Sequence, residues 1–246
     1  MTPRFHIDLP LQADQQFSLP ANAARHVQVL RLQPGAAITL FNGQGGEWQA
    51  EVLRMGRSDV EVSVLTHQSS LREMQLRVSL AIVMPANDRM DALVEKATEL
   101  GVFAVQPLTS ERSVLRLTGE RSHKKTAHWQ GVAVAACEQS GRTHVPKIAD
   151  VISLSDWLKS LATFADNERR CVLSLRDAQP WQALQTQVNS ASHVRFLSGP
   201  EGGLTEAEEA LARQYGFIAT SLGPRVLRAD TAPLAVLAAL GLSTTD

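Results

Sequence analysis

A chain of 246 residues that is 44% hydrophobic and 20% charged has a globular composition, which excludes disordered and fibrous classes and suits one large domain or a small one beside a medium one. A net charge of −1 excludes a uniformly basic nucleic-acid binder, though not a local basic patch. The longest apolar stretch, Ala232–Leu240, falls far short of the roughly 20 residues a membrane span needs. The start MTPRFHIDLP has no apolar signal region, so a cytoplasmic location is expected.

Residues 1–70 read as a small β-rich unit. AAITLFN and EWQAEVLRM are strands separated by GQGG, and DVEVSVL follows after GRS. Val60, Val62 and Val64 alternate with Glu61 and Ser63, the pattern of a strand with one wet face. SLPANAARHVQVLRL adds one short helix. The polar stretch THQSSLREMQ marks the boundary, and residues 74–246 form the second domain.

From Gln75 the pattern becomes strand, helix, strand. LRVSLAIVM is a strand; Asn87 or Asp88 then caps a helix with Met90, Leu93, Val94, Ala97 and Leu100 on one stripe, stopped by Gly101. VFAVQPL, CVLSL, VRFLS and FIATSL are further strands, with helices over residues 153–162, 180–188, 205–215 and 231–242. This alternation predicts an α/β domain with a mostly parallel sheet. TAPLAVLAAL, apolar all round, is expected to be a buried helix capped by Asp230 or Thr231.

Between Ser110 and Lys147 seven Lys and Arg face three Glu, a local excess of +4, with three histidines beside them. A solvated helix face and a phosphate footprint both fit this excess. Cys137 and Cys171 lie 34 positions apart without CxxC spacing and read as core residues. His123 and His128 lack the HExxH spacing, so no metal site is expected.

Ligands of open parallel sheets bind beyond the carboxyl ends of the strands, where SGPEGG and LGPRVLRAD both fall. SGPEGG matches neither the Walker nor the dinucleotide template, since no lysine follows and the glycines are 199, 202 and 203. Glu201 would repel a phosphate, so a neutral, polyhydroxylated or cationic ligand suits the loop better. Part of the loop is helix grammar: Thr205 and Glu208 form a capping box.

EKATELGV (95–102), ERS (111–113), CEQSGR (137–142), GPEGGLTEAE (199–208) and LGPRVLRADTA (222–232) together resemble the RsmE family. Its members are SPOUT-superfamily enzymes that methylate N3 of a uridine in small-subunit ribosomal RNA. HVQVLRLQPGAAITLFNGQGGEWQAEV resembles that family's PUA-like β-barrel RNA-binding domain. The resemblance implies a trefoil-knotted, mostly parallel sheet flanked by helices, S-adenosylmethionine held in the knot, a homodimer, and 16S ribosomal RNA as partner.

By position, the resemblance assigns the cofactor to Leu173, Ser174 and Leu175; to Ser198, Gly199, Pro200, Glu201 and Gly202; and to Leu222, Gly223, Val226, Leu227 and Arg228. This ligand carries a sulfonium and hydroxyls but no phosphate, which agrees with a glycine loop bearing a glutamate. Two departures stand out: LRADTA replaces the usual LRAETA, shortening the carboxylate at Asp230, and His6 replaces a common aromatic. Attack by uracil N3 requires its imide proton to leave, so a base and a cation near the carbonyls are expected. The candidate cations are Arg228 first, then Arg112 and Arg142; the candidate bases are Glu138 and Glu201. Phosphate contacts are expected from Arg4, Arg25, Arg31, Arg112, Lys124, Lys125 and Arg142. The rivals are an RNA-binding relative that acts on another RNA or has lost catalysis, disfavoured by the intact EQSGR and LGPRVLRAD, and a nucleotide-using enzyme, disfavoured by the missing lysine.

Overall fold

A computed structural model describes residues 2–70, 72–86, 89–161 and 167–243. Its contacts divide the chain into two compact units, one running to Glu73 and taking in Val134–Val145, the other formed by Met74–Ala133 and the chain from Pro146 onward.

The first unit contains β1 (Arg4–His6), β2 (Gln16–Ser18), α1 (Ala21–Val29), β3 (Ala37–Phe41), β4 (Glu47–Met55) and β5 (Val60–Gln68). The sheet order is β1-β3-β4-β5-β2, antiparallel except where β1 runs parallel to β3. Register shifts between Trp48 and Ala50 and between Val52 and Arg54 bend β4 against β5. The alternation read from sequence holds: Val60, Val62 and Val64 are fully buried and meet Phe5, Ile7, Ile38, Leu40 and Val27 in one core.

The second unit contains β6 (Arg77–Val83), α2 (Arg89–Glu99) and β7 (Ala104–Thr109). Next come α3 (Gly119–Ser140), whose last turns belong to the first unit, then β8 (Lys147–Ile148), β9 (Ile152–Ser153), α4 (Leu154–Ser160) and β10 (Glu168–Leu173). The chain continues as β11 (Gln179–Pro180), α5 (Trp181–Asn189), β12 (His193–Ser198), α6 (Glu206–Gln214), β13 (Ile218–Ser221) and α7 (Thr231–Ser243). Its sheet runs β11-β13-β10-β12-β6-β7-β8, with β9 also on β7, and every pairing is parallel. One face carries Ala81, Val83, Val172, Leu197 and Ala219 against Leu154, Trp157 and Leu158 of α4 and Ala212 of α6.

Two of the helix signals are met in the structure. In α6 the Thr205 hydroxyl accepts from the Glu208 amide at 3.2 Å, and the Glu208 carboxylate accepts from the Thr205 amide at 2.9 Å. Gly101, at φ +91°, closes α2, whose buried stripe is Met90, Leu93, Val94, Ala97 and Thr98. The cap expected at Asn87 or Asp88 lies outside the described residues. Both cysteines are buried; burial pushes the Cys137 thiol up to about 12 and raises that of Cys171 as well.

The helix α7 differs from the expectation of burial all round. Pro233, Val236, Leu237 and Leu240 are buried, Leu234, Ala235, Ala238 and Ala239 are half-buried, and Leu242 is 81% exposed. The reason is geometric: α2 and β12 pack on this helix and cover only part of its circumference.

Candidate functional site

A cavity of about 620 Å³ opens at the carboxyl ends of β10, β12 and β13, within the usual range for small-molecule sites. Three loops form its walls: Leu173–Arg176 after β10, Ser198–Leu204 after β12, and Leu222 with Arg225–Ala229 after β13. All the residues assigned to the cofactor line it except Gly223, which stands exposed in its own turn at φ +110°. The tightest turn is at Gly199. A Cβ there would come within 3.0 Å of the Leu204 amide nitrogen and 3.1 Å of Leu204 Cγ.

Charge in the cavity is arranged by pairs the sequence did not reveal. Glu201 Oε1 accepts from the Ala86 amide at 3.0 Å and lies 3.6 Å from the Arg89 guanidinium, which also lines the cavity from the first turn of α2. The Arg228 carbonyl accepts from the amides of Thr231 and Ala232 at 3.0 and 3.1 Å, but no hydrogen bond or ion pair holds its guanidinium among the described residues; the residue is exposed and lines the cavity. On the opposite wall Glu209 is buried. The Ser174 hydroxyl donates to it at 3.0 Å, and Arg176 lies 3.7 Å away while donating to the Leu204 carbonyl at 3.0 Å. These contacts tie the β10 loop to α6. Arg112 stands just outside and donates to the Gly202 carbonyl at 2.8 Å.

CEQSGR ends α3 inside the first unit, whereas the residues that line the cavity belong to the second. Arg142 is 5% exposed and donates from Nε and Nη2 to Glu73 at 3.0 and 2.6 Å; the amides of Thr143 and His144 complete that carboxylate's shell. Burial raises the Glu73 pKa, but the Arg142 hydrogen bond and charge, aided by the two amides, outweigh it and hold the carboxyl below its ordinary range. A guanidinium so enclosed anchors the end of α3 to Glu73.

Arg4 is enclosed in the same way: it is buried, pairs with Glu47, and donates to the carbonyls of Gly141 and Arg142 at 3.2 and 3.0 Å. Glu138 accepts from the His6 amide at 2.9 Å and lies 3.6 Å from His26 Nδ1; burial pushes its carboxyl above the ordinary range despite these partners. Arg25, Arg31 and Lys124 are exposed, the last paired with Glu120 at 2.7 Å, while Lys125 is half-buried and its charge faces Asp91. Arg89, Arg176 and Glu209 carried no motif signal. Arg89 alone sits where position would have flagged it, at a helix start after a parallel strand.

An all-parallel α/β sheet with a glycine-walled cavity at its carboxyl edge defines a small-molecule-binding domain, in a chain that also holds a β-rich unit. Comparison with known proteins makes the class specific. The model of the RNA methyltransferase domain matches residues 72–241, and that of the RNA methyltransferase PUA domain matches residues 19–65. Ribosomal RNA small subunit methyltransferase E of Bacillus subtilis is 32% identical, the match covering 98% of this chain and 96% of that protein. The protein of the same name from Buchnera aphidicola is 31% identical over 99% of this chain and 97% of its own length. The crystal structure of ribosomal RNA small subunit methyltransferase E from Neisseria gonorrhoeae, bound to S-adenosyl methionine, superposes with a TM-score of 0.91 at 35% identity, covering 99% of this chain and 98% of that one. The chain belongs to the ribosomal RNA small subunit methyltransferase E family. Among the described residues no helix is long and apolar enough to cross a membrane, and no group of three His, Cys, Asp or Glu is placed to hold a metal ion.

Proposed function

We propose that this protein transfers a methyl group from S-adenosylmethionine to N3 of a uridine in the 16S RNA of the small ribosomal subunit, acting in the cytoplasm as a homodimer. The observation that carries this reading is the cavity, whose walls are the three loops the family resemblance assigns to the cofactor. The donor set fits that group. Backbone at Gly199, Gly202, Leu222 and Leu227 is available to an adenine edge and ribose, and no lysine-bearing phosphate loop intrudes. Bound there, S-adenosylmethionine supplies a methyl group on a positively charged sulfur.

The chain's own residues then have two tasks, holding the uracil in line and managing its imide proton. The Arg228 guanidinium, unpaired among the described residues, is placed to stabilise the negative charge that spreads onto the uracil carbonyls as the proton leaves. Glu201 is the better-placed proton acceptor of the two candidates, since it lines the cavity and both of its contacts engage Oε1, leaving Oε2. Glu138 keeps the alternative, because burial has already raised its affinity for a proton. The uracil must be unpaired for N3 to be reached, and Arg25, Arg31, Arg112, Lys124 and Lys125 supply phosphate contacts that weaken with salt.

Two features support the rest of the reading. The half-covered apolar surface of α7, with Val226 at 84% exposure, suits burial against a second copy. The insertion of β13 between β10 and β11 is the strand order a knotted chain end would leave. Mass spectrometry of 16S ribosomal RNA nucleosides from cells lacking the protein tests the function. One N3-methyluridine is expected to be missing and restored by the wild-type chain; an unchanged profile overturns the proposal.

A further inference from the structure

We propose that a second cavity, of about 420 Å³ on the same edge of the sheet, seats a ribonucleotide of the RNA chain adjoining the methylated base. This rests on the methyltransferase reading and names where its substrate is held. The cavity is built at the carboxyl ends of β7 and β9, whose last residues are Thr109 and Ser153, and α6 closes its far side. Such ends are where parallel sheets place ligands.

The lining selects the ligand. Half-buried Leu211, with the edge of buried Leu154 behind it, offers an apolar surface for a flat base, while Thr109, Ser110 and Ser155 offer hydroxyls for a ribose. Glu208 also lines the space, yet both its oxygens are occupied. Oε1 accepts from the Glu111 amide and Oε2 from the Thr205 amide, each at 2.9 Å, so both oxygens are engaged by backbone, while the exposed Glu111 carboxylate lines the same space. The cation of the cavity is Arg116. It is exposed, its one hydrogen bond is a long 3.4 Å contact to the Glu111 carbonyl, and no ion pair engages it among the described residues. A guanidinium at the mouth of a hydroxyl-lined, partly apolar cavity matches phosphate, ribose and base in one unit.

The loop after β7 connects this cavity to the first. Glu111 is held by Glu208 in the second cavity, and the adjacent Arg112 donates to the Gly202 carbonyl in the wall of the first at 2.8 Å. A polymer with one base presented to the first cavity passes over this loop, which a free mononucleotide has no need to do.

The test uses the full chain, a fluorescein-labelled single-stranded RNA containing uridine, and free uridine 5′-monophosphate. Arg116→Ala and the space-filling Ser155→Phe are compared with wild type by anisotropy across a salt series, with S-adenosylmethionine affinity read separately by calorimetry and folding by thermal midpoint. Both variants are expected to weaken RNA binding about fivefold or more with cofactor affinity unchanged, and Arg116→Ala to lower the salt slope by about one. Unchanged RNA affinity in the folded variants overturns the proposal. So does loss of mononucleotide binding with RNA affinity intact, which would make the cavity a free-nucleotide site. A wild-type chain that binds RNA through Arg116 but not S-adenosylmethionine would instead overturn the methyltransferase reading, so the two fail separately.

Discussion

Replacing Gly199 with alanine puts the cofactor assignment to a quantitative test. The new Cβ would meet the Leu204 nitrogen at 3.0 Å, Leu204 Cγ at 3.1 Å and the Gly203 carbonyl carbon at 3.3 Å. Two of those neighbours are backbone, so the loop itself must yield. Overpacking of this kind costs about 1–3 kcal/mol. If the loop gives way at the cavity wall, that energy appears as a 5- to 150-fold loss of S-adenosylmethionine affinity, at roughly 1.4 kcal/mol per decade. If it is borne by the fold, the melting midpoint falls by about 2–4 °C per kcal/mol for a chain of this size. Gly202→Ala is the control, since its Cβ would find only Arg112 side-chain carbons at 3.6 and 3.9 Å. Calorimetric titration and a thermal melt of both variants decide the matter. Equal affinity and equal midpoint in Gly199→Ala and wild type would refute the reasoning.

Arg228→Ala is expected to fold with a wild-type melting midpoint and to lose about 10²–10³ in kcat; near-normal turnover would reject Arg228 as the stabilising cation. Arg142→Ala acts through the fold, because it strands the Glu73 carboxylate, whose side chain is only 20% exposed. Chemical denaturation should show about 3–5 kcal/mol lost, with much of it recovered in the double variant Arg142→Met/Glu73→Met. Burial raises the carboxyls of Glu47, Glu73, Glu168 and Asp91, but it is outweighed, by arginine partners at the first three, with two backbone amides added at Glu73, and at Asp91 by hydrogen bonds from His128 and Trp129 with the charges of His128 and Lys125, so all four are held below their ordinary values. Their contribution is therefore full above the unfolded values, near pH 4, and is lost as the pH falls through the folded ones. Glu138 has the opposite sign: burial raises its pKa, so its ionised form costs stability above that region. Glu138→Gln should raise the melting midpoint at pH 7 and leave it unchanged at pH 3; a lower midpoint at pH 7 would reject the sign.

Two loops of the cavity, SGPEGG and LGPRVLRAD, were legible in the sequence because each follows an apolar strand and carries glycine, a signal that depends on a few neighbouring residues; the loop after β10 carries no glycine and was reached only through the family resemblance. Glu201 was legible as a lining residue but not as a partner of Arg89, since that pairing depends on how α2 is set against the β12 loop. Glu209 looked like one of several acidic residues in the first turn of α6, and only the packed helix shows that it is buried against Ser174. The pairing of Arg142 was not legible either, since its partner Glu73 lies 69 positions away in the chain. The 22-residue span of α3 itself was read only as a basic segment. Its amino-terminal half is charged and mostly exposed and its later half small and alanine-rich, so no single stripe announces it.

The position of β6 has a consequence for synthesis. Its neighbours in the sheet are β7, which follows closely, and β12, whose Ser198 pairs with Ile82 across more than a hundred residues of intervening chain. At translation rates of about 5–20 residues per second, one side of β6 waits several seconds for its partner. During that interval a nascent chain exposes an apolar strand edge of the kind that recruits other chains. Ribosome stalling between residues 110 and 190 should therefore yield aggregation-prone fragments, whereas release after β13 should not.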